Sequence, residues 1–300
     1  MNNIGHNLPK LNPKETIQNN ILRKKPILDR EPQIYKGVPL PSWIELSLID
    51  VCNRSCSFCP KSDESIAPNT HQKMERVLID KLYKDLKNIN YEGAFTLCGY
   101  GEPLLYKDLE YLTNKLGEIG SIEIVTNGDP LNTKILKKLY ESKISQLVIS
   151  MYDGPEQVMY FTDMMKEANV PETFCSLRDR WYKGDEFAEY ITNRAGTVQS
   201  GKQIKPEDVK DKRCFYPTYH AQIDWDGNLY VCPHDWQRRN PVGNLMQKDF
   251  FEIWNGTALT NIRKMLFAGI RDKLPCESCN CNGKVHGEKH YEAFKKNFNK

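Results

Sequence analysis

The sequence predicts an α/β protein built on a parallel sheet, with a change of architecture in its last third. Three observations carry this. Short apolar runs alternate with helix-periodic segments between Trp43 and Leu177, the pattern of successive βα units. Polar, glycine-rich and cysteine-rich pieces follow those runs, where the functional residues of such sheets gather. From Cys214 onward a hairpin signal and a second group of cysteines replace the alternation.

Taken in order, residues 1–40 are polar, rich in Pro and Asn and without period, and read as an extended arm. The first strand, 43–50, delivers the loop Cys52-x3-Cys56-x2-Cys59 from its C-terminal end. Val77, Leu78, Leu82 and Leu86 give helical spacing to 73–86. The second strand, Gly93–Cys98, runs into Gly99, Tyr100, Gly101, Glu102 and Pro103, and a helix over 109–116 follows. Strands 122–126, 147–151 and 173–177, separated by helices 133–142 and 157–168, complete the alternation. Strands this short and apolar suit burial on both faces. The pattern weakens over 181–213, where Asn193, Arg194, Ala195 and Gly196 stand out in charged sequence. Residues 221–231 read as a tight hairpin about Asp226-Gly227, which brings the flanking Cys214 and Cys232 together. Residues 250–254 and 258–267 are helical, and Cys276, Cys279 and Cys281 follow. The expected division is an arm over 1–40, a core over 41–208 and a C-terminal domain over 209–300.

Composition narrows the class. The net charge is +3 and no Lys/Arg run is dense, which argues against a nucleic-acid partner. No apolar stretch reaches membrane-spanning length and the first residues lack the layout of a signal peptide, so no membrane is expected and the expected location is cytoplasmic. Ten cysteines in such a chain need a reason. Cys98 and Cys175 sit in apolar runs and suit buried thiols. The clustered ones suit metal, since a reducing compartment disfavours structural disulfides.

Cys52, Cys56 and Cys59 have no fourth cysteine nearby. Three thiolates leave one iron of a [4Fe-4S] cluster free to take a ligand; a zinc site with a distant fourth ligand is the alternative. With Phe58 before the last cysteine, this motif resembles the radical S-adenosylmethionine (radical SAM) superfamily, and Gly99–Pro103 resembles its glycine-rich, methionine-amine-binding motif. The resemblance implies a partial (β/α)6 TIM-like barrel, a SAM-binding [4Fe-4S] cluster, S-adenosylmethionine, and an external electron donor such as flavodoxin or ferredoxin. It implies cofactor contacts from Phe58, Gly99, Gly101, Glu102, Ser150 at the end of the fourth strand, and Arg178.

Cys214, Cys232, Cys276 and Cys279 form a second candidate ligand set, with zinc again the alternative and Cys281 an alternative to Cys279. Their layout resembles the auxiliary-cluster domains of the superfamily. The absence of further cysteines points to the shorter Twitch form of the SPASM domain, a β-hairpin-plus-helix unit with one auxiliary [4Fe-4S] cluster. The whole is similar to superfamily dehydrogenases of cyclitols, which implies Arg194 as the residue facing a substrate hydroxyl, with His234 and Asp235 bordering the space between clusters. The implied reaction removes hydrogen from a carbinol carbon of a sugar- or cyclitol-like small molecule and passes an electron to the auxiliary cluster. An epimerase with Cys98, Cys175 or Cys281 as hydrogen donor, a peptide-modifying enzyme, and a zinc- or cluster-bearing binding module are the other readings.

Overall fold

The computed structural model describes residues 13–181, 191–198 and 205–298. Its first element corrects the reading of the arm. Residues 13–28 form helix α1 (Pro13–Leu28), followed by a small hairpin of β1 (Ile34–Tyr35) and β2 (Val38–Pro39); residues 1–12 lie outside the described residues. The helix is held by tertiary contacts that its own polar sequence does not announce. Arg23 pairs with Glu123 and also reaches Gln146, and Lys24 stands 4.8 Å from the Trp43 ring. These partners start three different strands, so α1 lies across the N-terminal end of the sheet.

The sheet has eight strands. Five come from the expected alternation: β3 (Trp43–Leu46), β4 (Ala94–Leu97), β5 (Ile122–Thr126), β6 (Gln146–Met151) and β7 (Cys175–Asp179). Between them run α2 (Arg76–Asn88), α3 (Leu109–Leu116), α4 (Thr133–Tyr140) and α5 (Glu156–Ala168). A four-residue helix, α6 (Tyr216–Tyr219), leads into β8 (His220–Ile223), which turns back at Gly227 (φ 83°) into β9 (Asn228–Tyr230) and β10 (Pro241–Asn244). The order is β10-β9-β8-β3-β4-β5-β6-β7. From β8 through β7 all pairs are parallel; β9 and β10 are antiparallel. The first strand of the expected hairpin is therefore also the sixth parallel strand, with Glu45 opposite Gln222 and Leu46 opposite Ile223. This is a partial (β/α)6 barrel, open because, among the described residues, β7 pairs with β6 alone. The sheet runs unbroken across the expected boundary at 208/209.

Alternation assigns the two faces of the sheet. Ile44, Leu46, Phe95, Leu97, Ile124, Leu147, Ile149 and Ile223 point toward α2–α5 and make the main core with Leu78, Leu82, Leu112 and Leu136. The other face is polar: Ser47, Thr96, Glu123, Ser150, His220 and Gln222 are buried there, and Glu45 and Arg178 partly so. Helices α7 (Phe250–Trp254) and α8 (Thr257–Phe267) follow, and a further helix, α9 (Glu288–Phe298), which the sequence reading did not include, buries Phe294 beside Trp254. No described helix is long and apolar enough to cross a membrane.

Candidate active site

The triple-cysteine loop leaves β3 and is fixed by polar ties. Asp50 accepts from the backbone N–H groups of Thr70 and Gln72, and Asn69 accepts from the N–H of Cys52 at 3.2 Å. The buried Lys61 ammonium donates to the carbonyls of Asp50 (2.8 Å) and Pro68 (3.1 Å). Arg54 reaches sideways with both arms, to Asp129 after β5 (2.5 and 2.6 Å) and to Asp153 after β6 (2.6 and 2.7 Å). Asn53 bonds Asp129, and Asn127 bonds Asn53 and approaches the Cys52 sulfur at 3.9 Å. The loops of three strands thus meet at the three thiols. Spacing alone did not reveal Arg54, Asn127, Asp129 or Asp153; a charged residue inside a cysteine motif was the available signal.

The glycine-rich loop lies backbone to backbone against this loop. A Cβ on Gly101 would stand 2.6 Å from the Val51 carbonyl oxygen and closer to that of Ile49, and Glu102 donates its N–H to Val51. Gly99 adopts φ 106°, open to glycine at no steric cost, and abuts Ser47. The glycines therefore serve the contact with the cluster loop, beyond any approach to a cofactor. Glu102 differs from its expected use. Its carboxylate is buried and accepts from Thr126 Oγ1 (2.6 Å), Asn127 N (2.8 Å) and Leu104 N (3.0 Å). It ties the loop to the end of β5, and what it can turn to a ligand is backbone. Burial pushes its carboxyl above the ordinary value, against those three bonds.

Ser150 and Arg178, expected separately, are register partners on β6 and β7 and bond each other at 2.7 Å. The Arg178 guanidinium is buried, burial lowers its pKa, and its Nε has no partner. A buried cation with a free donor fits an incoming carboxylate. Beside it Tyr152 stacks on Phe58 with ring centroids 5.9 Å apart.

The second cysteine set closes around a cavity of about 370 Å³ lined by Cys214, Cys232, Cys276, Cys279 and Cys281, with Tyr216, His234 and Arg271. Gly283 carries no side chain where a Cβ would meet the Cys214 sulfur at 2.6 Å. The Cys279 sulfur accepts the N–H of Cys281 at 3.3 Å. Burial holds the thiols neutral: Cys56 of the first set is pushed up to about 12, Cys214 to about 11, and Cys232 well above its ordinary value. Such thiols ionise only beside a strong cationic centre, which the irons of a cluster provide. Among the described residues no group of three or more His, Cys, Asp or Glu is placed to hold a metal ion. The all-sulfur donor sets fit iron–sulfur clusters.

Arg194 lies between the two sets. Its charge acts on the Cys59 thiol of the first and on Cys279, Tyr216 and His234 of the second. Arg194 and Ala195 take φ of 50° and 53°, a costly conformation for residues with a side chain. The turn is over-determined by its surroundings. Asn193 exchanges backbone and side-chain bonds with Asn280 and Ser278 (2.7–3.2 Å), and Arg239 and Ser278 both donate to the Ala195 carbonyl. His234 lines the second cavity and bonds Thr192, and Asp235 accepts the N–H groups of Arg239 and Asn240.

Known proteins repeat this layout. Residues 46–178 match the radical SAM superfamily, and residues 214–282 match SPASM, an iron-sulfur cluster-binding domain. The S-adenosyl-L-methionine-dependent 2-deoxy-scyllo-inosamine dehydrogenase of Niallia circulans is 28% identical over 256 residues, 84% of this chain and 97% of its own. The GTP 3',8-cyclase of Aquifex aeolicus is 28% identical over 137 residues, 44% of this chain and 41% of its own. Among solved structures, BtrN in complex with AdoMet and 2-DOIA superposes with a TM-score of 0.67 at 24% identity, covering 84% of this chain and 98% of that one. Streptococcus suis SuiB bound to its precursor peptide SuiA gives 0.52 at 16% identity, over 96% of this chain and 78% of that one. The two matched segments hold the two cysteine sets: the chain carries a radical SAM segment followed by a SPASM segment, the make-up of an oxidoreductase with S-adenosylmethionine and two iron–sulfur clusters as cofactors.

Proposed function

We propose that the chain is a radical SAM dehydrogenase that oxidises a carbinol of a sugar- or cyclitol-like molecule to a carbonyl. One observation carries the reading: a second, five-thiol cavity stands across Arg194 from the triple-cysteine loop. A dehydrogenation must dispose of one electron after hydrogen is removed, and a cluster in that cavity is a sink within the same chain. The similarity to a dehydrogenase over nearly its whole length supports this.

When bound, the first cluster and S-adenosylmethionine would supply radical hydrogen abstraction from carbon. The chain's residues orient and exclude. Cys52, Cys56 and Cys59 would hold the first cluster, and Cys214, Cys232, Cys276 and Cys279 the second. The backbone of Gly99–Glu102 would meet the cofactor amine, Arg178 with Ser150 its carboxylate, and Phe58 backed by Tyr152 would wall its adenine. Arg194 donates to the substrate oxygen as charge develops there. A cytoplasmic flavodoxin or ferredoxin would supply the electron that the first cluster needs.

Anaerobic reconstitution tests the whole. The expected result is about eight irons per chain, four for each cubane, with deoxyadenosine and a carbonyl product formed one to one from a polyol or aminopolyol panel. Zinc in place of iron, or deoxyadenosine that no panel member accelerates, would overturn it. A second reading, an epimerase, has one observation in its favour: Cys98 lies beside Glu45 on the inner face and is held as neutral thiol, the form that donates hydrogen. It requires solvent deuterium at carbon and no carbonyl.

A further inference from the structure

A different cavity, about 260 Å³, opens between the glycine-rich loop and the auxiliary domain. Gly99 and Tyr100 line one side, Cys232, Asp235, Trp236 and Arg238 the other, and Glu45, Ser47, Gln222 and Asp224 the floor. It thus touches both the cofactor loop and a cysteine of the second set. Asp224 follows β8 directly and continues the inward face of His220 and Gln222 at the C-terminal end of the barrel, where barrel enzymes keep their chemistry. Its carboxylate is buried. It accepts from Gln222 Nε2 at 3.2 Å and forms an ion pair with Arg238 at 2.5 Å, and Ser47, just after β3, supports it. Gln222 Oε1, also buried, has no partner.

Resting on the dehydrogenase reading, we propose that Asp224 is the proton acceptor of the oxidation and that Arg238 is its positioning residue. The step balances. The carbinol C–H bond breaks homolytically and its hydrogen forms the new C–H bond of deoxyadenosine. The hydroxyl proton passes to Asp224 Oδ. The electron left on the substrate goes to the oxidised auxiliary [4Fe-4S] cluster, and the C=O bond is completed. Arg238 is held for its part by an aromatic box, with its guanidinium over Tyr100 (3.2 Å) and Trp225 (4.3 Å). The charge on Asp224 is therefore kept in place without being quenched by solvent. Burial raises its carboxyl to about 6, with Arg238, Ser47 and Gln222 pulling the other way. The other titratable groups facing it are Glu45 from β3, Tyr100 after β4, His220 on its own strand, Asp226 in the turn, Tyr230 on β9, and Cys232 and Asp235 beyond. An acceptor must be ionised, so carbonyl formation rises with pH through about 6 and then levels.

The test uses the reconstituted holoenzyme. Asp224→Asn is expected to lower carbonyl formation about 100-fold or more, the usual weight of an acid–base group, while S-adenosylmethionine affinity holds and deoxyadenosine is released without matching carbonyl. Asp224→Glu restores carbonyl, and Arg238→Gln moves the acid limb to higher pH. Infrared difference spectra of resting enzyme give an independent readout: the carboxylic C=O band that grows as pH falls through about 6 in wild type is missing from Asp224→Asn. An unchanged acid limb in Asp224→Asn overturns the proposal, as does equal loss of deoxyadenosine and carbonyl with the infrared band retained. Should Asp224→Asn not fold, the Arg238→Gln shift decides: an unmoved limb overturns the proposal. Wild-type failure to form carbonyl would instead sink the dehydrogenase reading, with the infrared band untouched.

Discussion

Replacing Gly101 by alanine tests how tightly the cofactor loop must sit against the cluster loop. The added Cβ would stand 2.6 Å from the Val51 carbonyl oxygen, and ordinary contact begins at 3.4 Å. The obstructing atoms are backbone on both sides, so no side chain can swing away. The two loops must separate by at least about 0.8 Å to clear the Val51 oxygen, the shortfall between those distances, and by more to clear the nearer Ile49 oxygen. Overpacking of this kind costs about 1–3 kcal/mol. The same shift moves the Glu102 N–H off Val51, the bond that joins the two loops at 2.9 Å. A misplacement near 1 Å at a reacting centre lowers rate about 100-fold. Gly101→Ala should therefore keep its irons, melt a few degrees lower, bind S-adenosylmethionine more weakly and release deoxyadenosine tens of times more slowly. Equilibrium dialysis and deoxyadenosine quantification on the reconstituted variant read each part. Wild-type affinity and cleavage rate in a folded Gly101→Ala would refute the reasoning, since the loops would then be free to part without consequence.

Further outcomes follow from other contacts. Cys279→Ser should lose about four irons, one cubane, while Cys281→Ser keeps them; the reverse in iron analysis would make Cys281 the ligand. Glu102→Gln replaces a three-bond acceptor with a side chain that turns an NH2 toward donors, and should cost about 2 kcal/mol in denaturant unfolding; an unchanged midpoint would mean that the tie is dispensable. Arg54→Ala should lose about 1 kcal/mol, because the partners are partly exposed. Arg54 holds the Asp153 carboxyl below 3.8, so this contribution is full above that pH and fades only as pH falls below it. A gap in melting temperature between wild type and variant that closes already at pH 5 would contradict the assignment.

The parts of the fold legible in the sequence are those with local causes. Apolar runs, helical spacing and the Asp226-Gly227 turn each act over a few residues, and the strands and helices between Trp43 and Ala168 lie close to where those signals put them. The cysteine sets were legible because ligands of one cluster must converge. What was missed depends on distant partners. Helix α1 is polar and holds Pro26 within it, so its stability rests on Arg23 and Lys24 meeting strands far along the chain. The Ser150–Arg178 bond exists because β6 and β7 pair in one register. Arg54 looks like any loop arginine until Asp129 and Asp153 are brought to it. Glu102 was placed in the right loop, but nothing local says which way its carboxylate turns.

Strand β8 gives the clearest case, because its role follows from where it pairs. Read locally, it is one arm of a hairpin that brings Cys232 near Cys214. Paired parallel to β3 along four residues, it is also the neighbour of the strand that delivers Cys52. Cys214 and Cys232, which flank the β8–β9 hairpin, are therefore tied to the same sheet as the strand that delivers Cys52. The 193–196 turn braces the same geometry from the far side through its bonds to Ser278 and Asn280. A sheet with continuous pairing does not hinge between neighbouring strands, so the path from the first cluster, past Arg194, to the second is set by the fold before any ligand binds. Disposal of the electron is then tied to the same frame that positions the hydrogen to be removed. A change that loosens β8 against β3 should uncouple carbonyl formation from deoxyadenosine release while leaving both clusters in place.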